Sequence, residues 1–190
     1  MTTTLVVAVV AVVIAAILAY AIALYNRLVR SRQMAAEGWS GIDVQLKRRS
    51  DLIPNLVETV QGYAGHERAT LREVTELRNQ ARAMPPDDIA GRAHVEGLLS
   101  GAIGRLLAVV ENYPDLKASP NFLQLQASLA GIEDEIQMAR RYYNGATREL
   151  NVMVESFPSN LVAGMFGFSR GEFFETDDAS RVVPEVSFPR

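Results

Sequence analysis

The chain has 190 residues, no cysteine, two histidines and a formal net charge of −3 at pH 7. A length of this order suggests one domain with an appendage, and without thiols there is no disulfide, thiolate nucleophile or zinc–thiolate cluster. The positive charge is carried by seventeen arginines and two lysines. Its tight clusters, Lys47-Arg48-Arg49 and Arg140-Arg141, lack the interleaved aromatics of a single-strand groove, so nucleic acid is not an expected partner.

The first element is LVVAVVAVVIAAILAYAIALY, Leu5 to Tyr25, twenty-one residues without a charge. As a helix rising about 1.5 Å per residue it reaches roughly 30 Å, the thickness of a hydrocarbon core. Residues 1–4 therefore read as a short tail and 5–25 as a transmembrane helix whose partner is the lipid bilayer. Small residues at Ala19, Ala21 and Ala23 would permit signal cleavage. The run is longer than a signal core, however, and no Lys or Arg precedes it, which favours a retained anchor. Arg27, Arg30 and Arg32 follow the span, and the positive-inside bias then places the bulk of the chain in the cytoplasm after a single pass. Ala11, Ala15, Ala19 and Ala23 recur every four residues and form a stripe by which membrane helices approach closely. They are the candidates for self-association into a homo-oligomer; the plainer reading is that alanine is common in such spans.

From residue 26 to 157 the apolar period is helical, which predicts an all-α fold, an antiparallel up-and-down bundle of long helices. Between Arg27 and Met84 the stripe runs through Trp39, Ile42, Leu46, Ile53, Leu56, Val60, Tyr63, Val74 and Leu77. Pro54 admits two readings. Lys47-Arg48-Arg49 and Asp51 suit a helix end and a new cap, hence a turn and a four-helix bundle. Alternatively the spacing passes Pro54 in phase, hence a kink and three long helices. A third helix, Asp88 to Asn112, has a broad apolar face. Its glycines, Gly91, Gly97, Gly101 and Gly104, point to a closely packed neighbouring backbone rather than a cavity. The last long helix opens at Ser119-Pro120 and closes at Pro158, with a heptad-spaced seam from Phe122 through Leu129, Ile136, Tyr143 and Leu150 to Phe157. Glu67 and Arg49 fall on seam positions. The first reads as locally exposed, the second as reaching solvent or a phosphate head group along its long stem. Arg140, Asn144, Arg148 and Asn151 form a polar stripe outside the seam, a solvated face or a docking surface.

Chemistry is scarce. Tyr63 and Gly91 stand where a Glu-x-x-His pair would place glutamate, and Thr70 occupies the second histidine position of an H-E-x-x-H motif. No phosphate loop is present, so no enzyme, metal or cofactor is expected. Residues 158–190 form a C-terminal apolar segment and tail. Leu161, Val162, Met165, Phe166, Phe168, Phe173 and Phe174 either cap the bundle or contact lipid or another protein.

Three stretches, WSGIDVQLKRRSDLIPNLVETVQGYAGHE (Trp39–Glu67), LSGAIGRLLAVVENYPDLKASPNFLQLQ (Leu99–Gln126) and FPSNLVAGMFGF (Phe157–Phe168), closely resemble the LemA family of bacterial membrane proteins. The resemblance covers nearly the whole chain after the anchor. It implies one N-terminal membrane helix followed by an antiparallel four-helix bundle, which strengthens the reading of a turn at Pro54, and a place in the plasma (inner) membrane. It supplies no catalytic residue. Some family members are encoded near a membrane-embedded metalloprotease, which hints at a membrane protein partner. Family members often carry Tyr-Asn twice in the last helix, whereas this chain has Tyr143-Asn144 and then Leu150-Asn151. The functional expectation is a membrane-anchored helical scaffold or adaptor acting through protein–protein contacts. The alternative is a lipid-contacting or membrane-shaping element working through the C-terminal segment.

Overall fold

The computed structural model describes residues 2–175. Among these there are helices and no strands: α1 (Thr2–Tyr63), α2 (Arg68–Ala83), α3 (Ile89–Val110), α4 (Pro114–Lys117), α5 (Pro120–Glu155) and α6 (Ser159–Met165). The three–four periodicity thus becomes an all-α fold, and Pro120 opens α5 as expected.

The helix passes Pro54, as the in-phase spacing predicts, and the turn there is corrected; α1 nevertheless stops at Tyr63 instead of continuing to Met84. A proline inside a helix has no N–H for the carbonyl four residues back, which here is that of Ser50. Arg78 Nε donates to the Ser50 oxygen at 2.7 Å, so a side chain of α2 satisfies the acceptor that Pro54 abandons. The reversal comes later, at Ala64–Glu67, where Gly62 and Gly65 flank the break. A fourth helical segment does arise, but neither by a turn at Pro54 nor by a helix continuing to Met84.

The described residues form two compact units, one of α1 as far as Ile42 with Met138–Phe173, the other of Asp43–Gln137 with Phe174 and Glu175. In the second, the end of α1, then α2, α3 and the start of α5 bury one apolar core that includes Ile53, Leu56, Val60, Val74, Leu99 and Leu106. Tyr113 Oη donates to Glu67 at 3.2 Å and Arg105 pairs with Glu73 at 2.6 Å, contacts that run in opposite sense along α2 and α3. Short connections force such antiparallel neighbours. Asp88 caps α3 by accepting from the Gly91 N–H at 2.8 Å. By length and composition α3 could also cross a bilayer, but part of its apolar stretch is buried in this core.

In the first unit, Leu5 to Leu18 of α1 are exposed on all sides, and burial begins at Leu24 and Leu28. Farther along, Gly38 lets α5 approach: a Cβ there would lie 2.9 Å from Tyr143 Cα. The Trp39 and Tyr143 rings meet at 5.8 Å between centroids. The α5 seam is buried from Phe122 to Met153 at most of its positions, but Phe157, counted as its last member, is 80% exposed.

Candidate membrane-contact site

The C-terminal segment is held by backbone geometry before any side chain acts. Pro158 stops the long helix by lacking an amide donor, and α6 begins one residue later. α6 ends at Met165, and just beyond it Gly167 takes a φ of 71° that an L side chain resists. The Phe168 N–H then reaches back to the Ala163 carbonyl at 2.9 Å, which closes the helix end and turns Phe168 inward. Phe168 joins Leu28, Leu150, Met153 and Ala163 in a buried cluster, with Val162 packed beside it.

Two clamps from α5 secure the chain beyond. Asn151 offers both ends of its amide to one residue: Nδ2 donates to the Gly171 carbonyl at 3.0 Å, and Oδ1 accepts from the Gly171 N–H at 2.8 Å. Tyr143 Oη donates to the Glu172 carbonyl at 2.7 Å. Burial pushes the Tyr143 phenol above its ordinary pKa. Asn151 is therefore no solvated member of a polar stripe; it is buried and faces its own chain.

This anchoring sorts the predicted contact residues. Val162 and Phe173 are half-buried, while Phe168 and Phe174 are buried and belong to the interior. Leu161, Met165 and Phe166 point outward, Met165 with 80% of its surface exposed, and Phe157 joins them. Tyr25, the last residue of the apolar span, packs against the Phe166 ring at 4.8 Å and the Phe168 ring at 5.8 Å. The Arg32 guanidinium lies 4.9 Å from the Phe168 ring centre, a cation–π contact. Within this unit, an exposed apolar edge thus sits beside the residue where the span ends. Ala11, Ala15, Ala19 and Ala23 lie exposed along the span itself.

The sequence reading missed a second polar constellation. Arg49 is buried rather than directed to solvent: it pairs with Glu96 at 2.6 Å and Glu133 at 2.8 Å and donates to Ser100 Oγ at 2.6 Å. Arg92 pairs with Asp43 at 2.7 Å beside it. Gly101 and Gly104, expected to mark a close backbone, are exposed, and a Cβ on Gly104 would meet nothing within 4 Å. Glu67 is half-buried and takes its hydrogen bond from Tyr113.

Comparison with known proteins gives one family: the model of the LemA family matches residues 38–188. Magnetosome protein MamQ 2 of Paramagnetospirillum magneticum is 27% identical over 189 residues, covering 85% of this chain and 70% of that protein. Magnetosome protein MamQ of Magnetospirillum gryphiswaldense is 25% identical with the same coverage. Protein LemA of Metamycoplasma hominis is 27% identical over 162 residues, covering 85% of this chain and 74% of its own.

Proposed function

Because the chain belongs to the LemA family, a group of membrane-associated helical proteins, we propose that it is a non-catalytic scaffold, anchored by one pass through residues 5–25 and working through protein–protein contacts on the cytoplasmic side. Its C-terminal segment serves as a lipid seat. The observation that carries this reading is that Phe157, Leu161, Met165 and Phe166 are exposed and that the Phe166 ring packs on Tyr25. Side chains this apolar are rarely left in a contiguous exposed group unless a membrane or partner covers them. Here the end of a transmembrane run supplies the membrane at that point. The three arginines after the span support the cytoplasmic orientation. The inner residues of the same segment close the unit, so the cap and the contact surface are two sides of one element.

A chain without cysteine makes the test direct. Nitroxide labels on Leu161→Cys, Met165→Cys and, as the aqueous comparison, Gly131→Cys are compared in full-length protein in lipid nanodiscs. Labels at 161 and 165 should collide preferentially with oxygen, as in a bilayer, and the label at 131 with a water-soluble nickel chelate. Aqueous behaviour at 165 removes the lipid seat. The scaffold half is checked by crosslinking in the native membrane. The full chain should retain proteins that residues 1–42 alone do not, and identical captures reject it.

A further inference from the structure

Charge is unevenly sorted between the parts of this chain. The first compact unit holds seven arginines, four glutamates and no lysine, aspartate or histidine, a formal +3. The chain as a whole is −3, so the residues outside that unit sum to −6. Within the unit the excess lies next to the span. From Thr2 to Ala36 there is no acidic residue, and the charged side chains are Arg27, Arg30 and Arg32. All three are exposed, and among the described residues none of them forms an ion pair. Arg170, by contrast, is neutralised by Glu155 at 2.9 Å.

We propose that Arg27, Arg30 and Arg32 form a collar that selects anionic lipid, each guanidinium taking a lipid phosphate. This deepens the membrane reading above and rests on residues 5–25 spanning the bilayer. The depth fits. At 1.5 Å per residue the three arginines stand about 3, 8 and 11 Å beyond Tyr25 along α1, and the headgroup layer is roughly 5–8 Å thick on each side of the hydrocarbon core. Side chains on a helix lean toward its N-terminus, which for α1 is toward the bilayer, so even Arg32 is directed back to that layer. At about 100° per residue Arg27 and Arg30 leave one side of α1 and Arg32 the other. There the Arg32 guanidinium rests 4.9 Å from the centre of the Phe168 ring. The cations therefore surround the helix instead of sharing one groove.

Net charge decides which lipid they take. The planar fork of a guanidinium matches the oxygens of any lipid phosphate. A zwitterionic lipid brings its own ammonium to the arginine, whereas an anionic lipid adds attraction without that like charge. No carboxylate of the chain competes for these three cations, so their full charge is available at the surface. Each arginine near an anionic surface should favour it about fivefold.

The experiment uses the full chain in nanodiscs containing equal amounts of phosphatidylglycerol and phosphatidylcholine. Each lipid in turn carries a diazirine on the same acyl carbon close to the glycerol, and adducts are mapped by mass spectrometry. The ratio of phosphatidylglycerol to phosphatidylcholine adducts at residues 22–34 should exceed that at residues 5–10, the opposite end of the span, by about fivefold. The triple variant Arg27→Gln, Arg30→Gln, Arg32→Gln should bring the two ends to the same ratio. Those arginines also orient the span, so the parent chain is measured in 1 M salt as well. There the screening length is about 3 Å, and the ratio should fall without any substitution. Equal ratios at the two ends of the parent, or a preference that survives either the substitutions or the salt, overturns the collar while the span still labels. Absence of adducts of both lipids from residues 5–25 instead overturns the span, and with it the reading on which the collar rests.

Discussion

Arg78 and Pro54 stand on successive helices on either side of the turn, yet they form one functional pair. The proline removes a donor from α1, and the arginine of α2 supplies it to Ser50 at 2.7 Å. Arg78→Ala should therefore lower stability by about 1–3 kcal/mol, the cost of a buried acceptor left without a partner. In a Pro54→Ala background the new amide at position 54 takes over the Ser50 oxygen, and the same truncation should cost clearly less. Chemical denaturation of the four proteins of this cycle measures the difference; equal costs in both backgrounds would show that Arg78 does not serve the proline. Nothing local in the sequence announces this repair. Pro54 could be read only as a disruption, because the compensating group stands twenty-four positions later on another helix. Arg49 was more legible, since it falls on a seam position, but its partner Glu96 on α3 was not singled out. Two charges of opposite sign on facing helices are a signal of mutual burial, and reading Arg49 alone missed it.

The C-terminal element depends on α5 for its place. Tyr143 and Asn151 clamp the chain at Glu172 and Gly171, and burial holds the Tyr143 proton more tightly than in the unfolded chain. A phenol with a raised folded pKa contributes stability that is intact below about pH 10 and is lost as pH rises through the folded value. A nitroxide at Ser169→Cys should accordingly stay immobile at neutral pH and become mobile in strongly alkaline buffer. Tyr143→Phe lacks the Glu172 bond at every pH, so its label should start more mobile and respond less to alkali. Parallel alkaline responses in the two proteins would assign the change elsewhere. Helix ends marked by proline were plain in the sequence, at Pro120, Pro158 and the Pro85-Pro86 pair, whereas the break at Ala64–Glu67, marked only by glycines, was not. Nor were the clamps. An asparagine on the polar side of a helix looks solvated until the chain that returns to it is known.

If Ala11, Ala15, Ala19 and Ala23 bring spans together, then Ala15→Leu with Ala19→Leu should reduce the mass of the assembly in nanodiscs by widening the closest approach. An unchanged mass would leave the stripe as ordinary alanine in a membrane helix. The sequence showed the span and the all-α class through length and period alone. It left open which apolar residues after Pro158 face inward, because that division is made by Gly167 and by partners distant in the chain. The bond from Arg78 to the Ser50 oxygen also has a consequence in time. Synthesis runs from the N-terminus, so the stretch around Pro54 is made before the arginine that makes it whole. Maturation is thereby ordered: a sound first helix only after the second has emerged and docked.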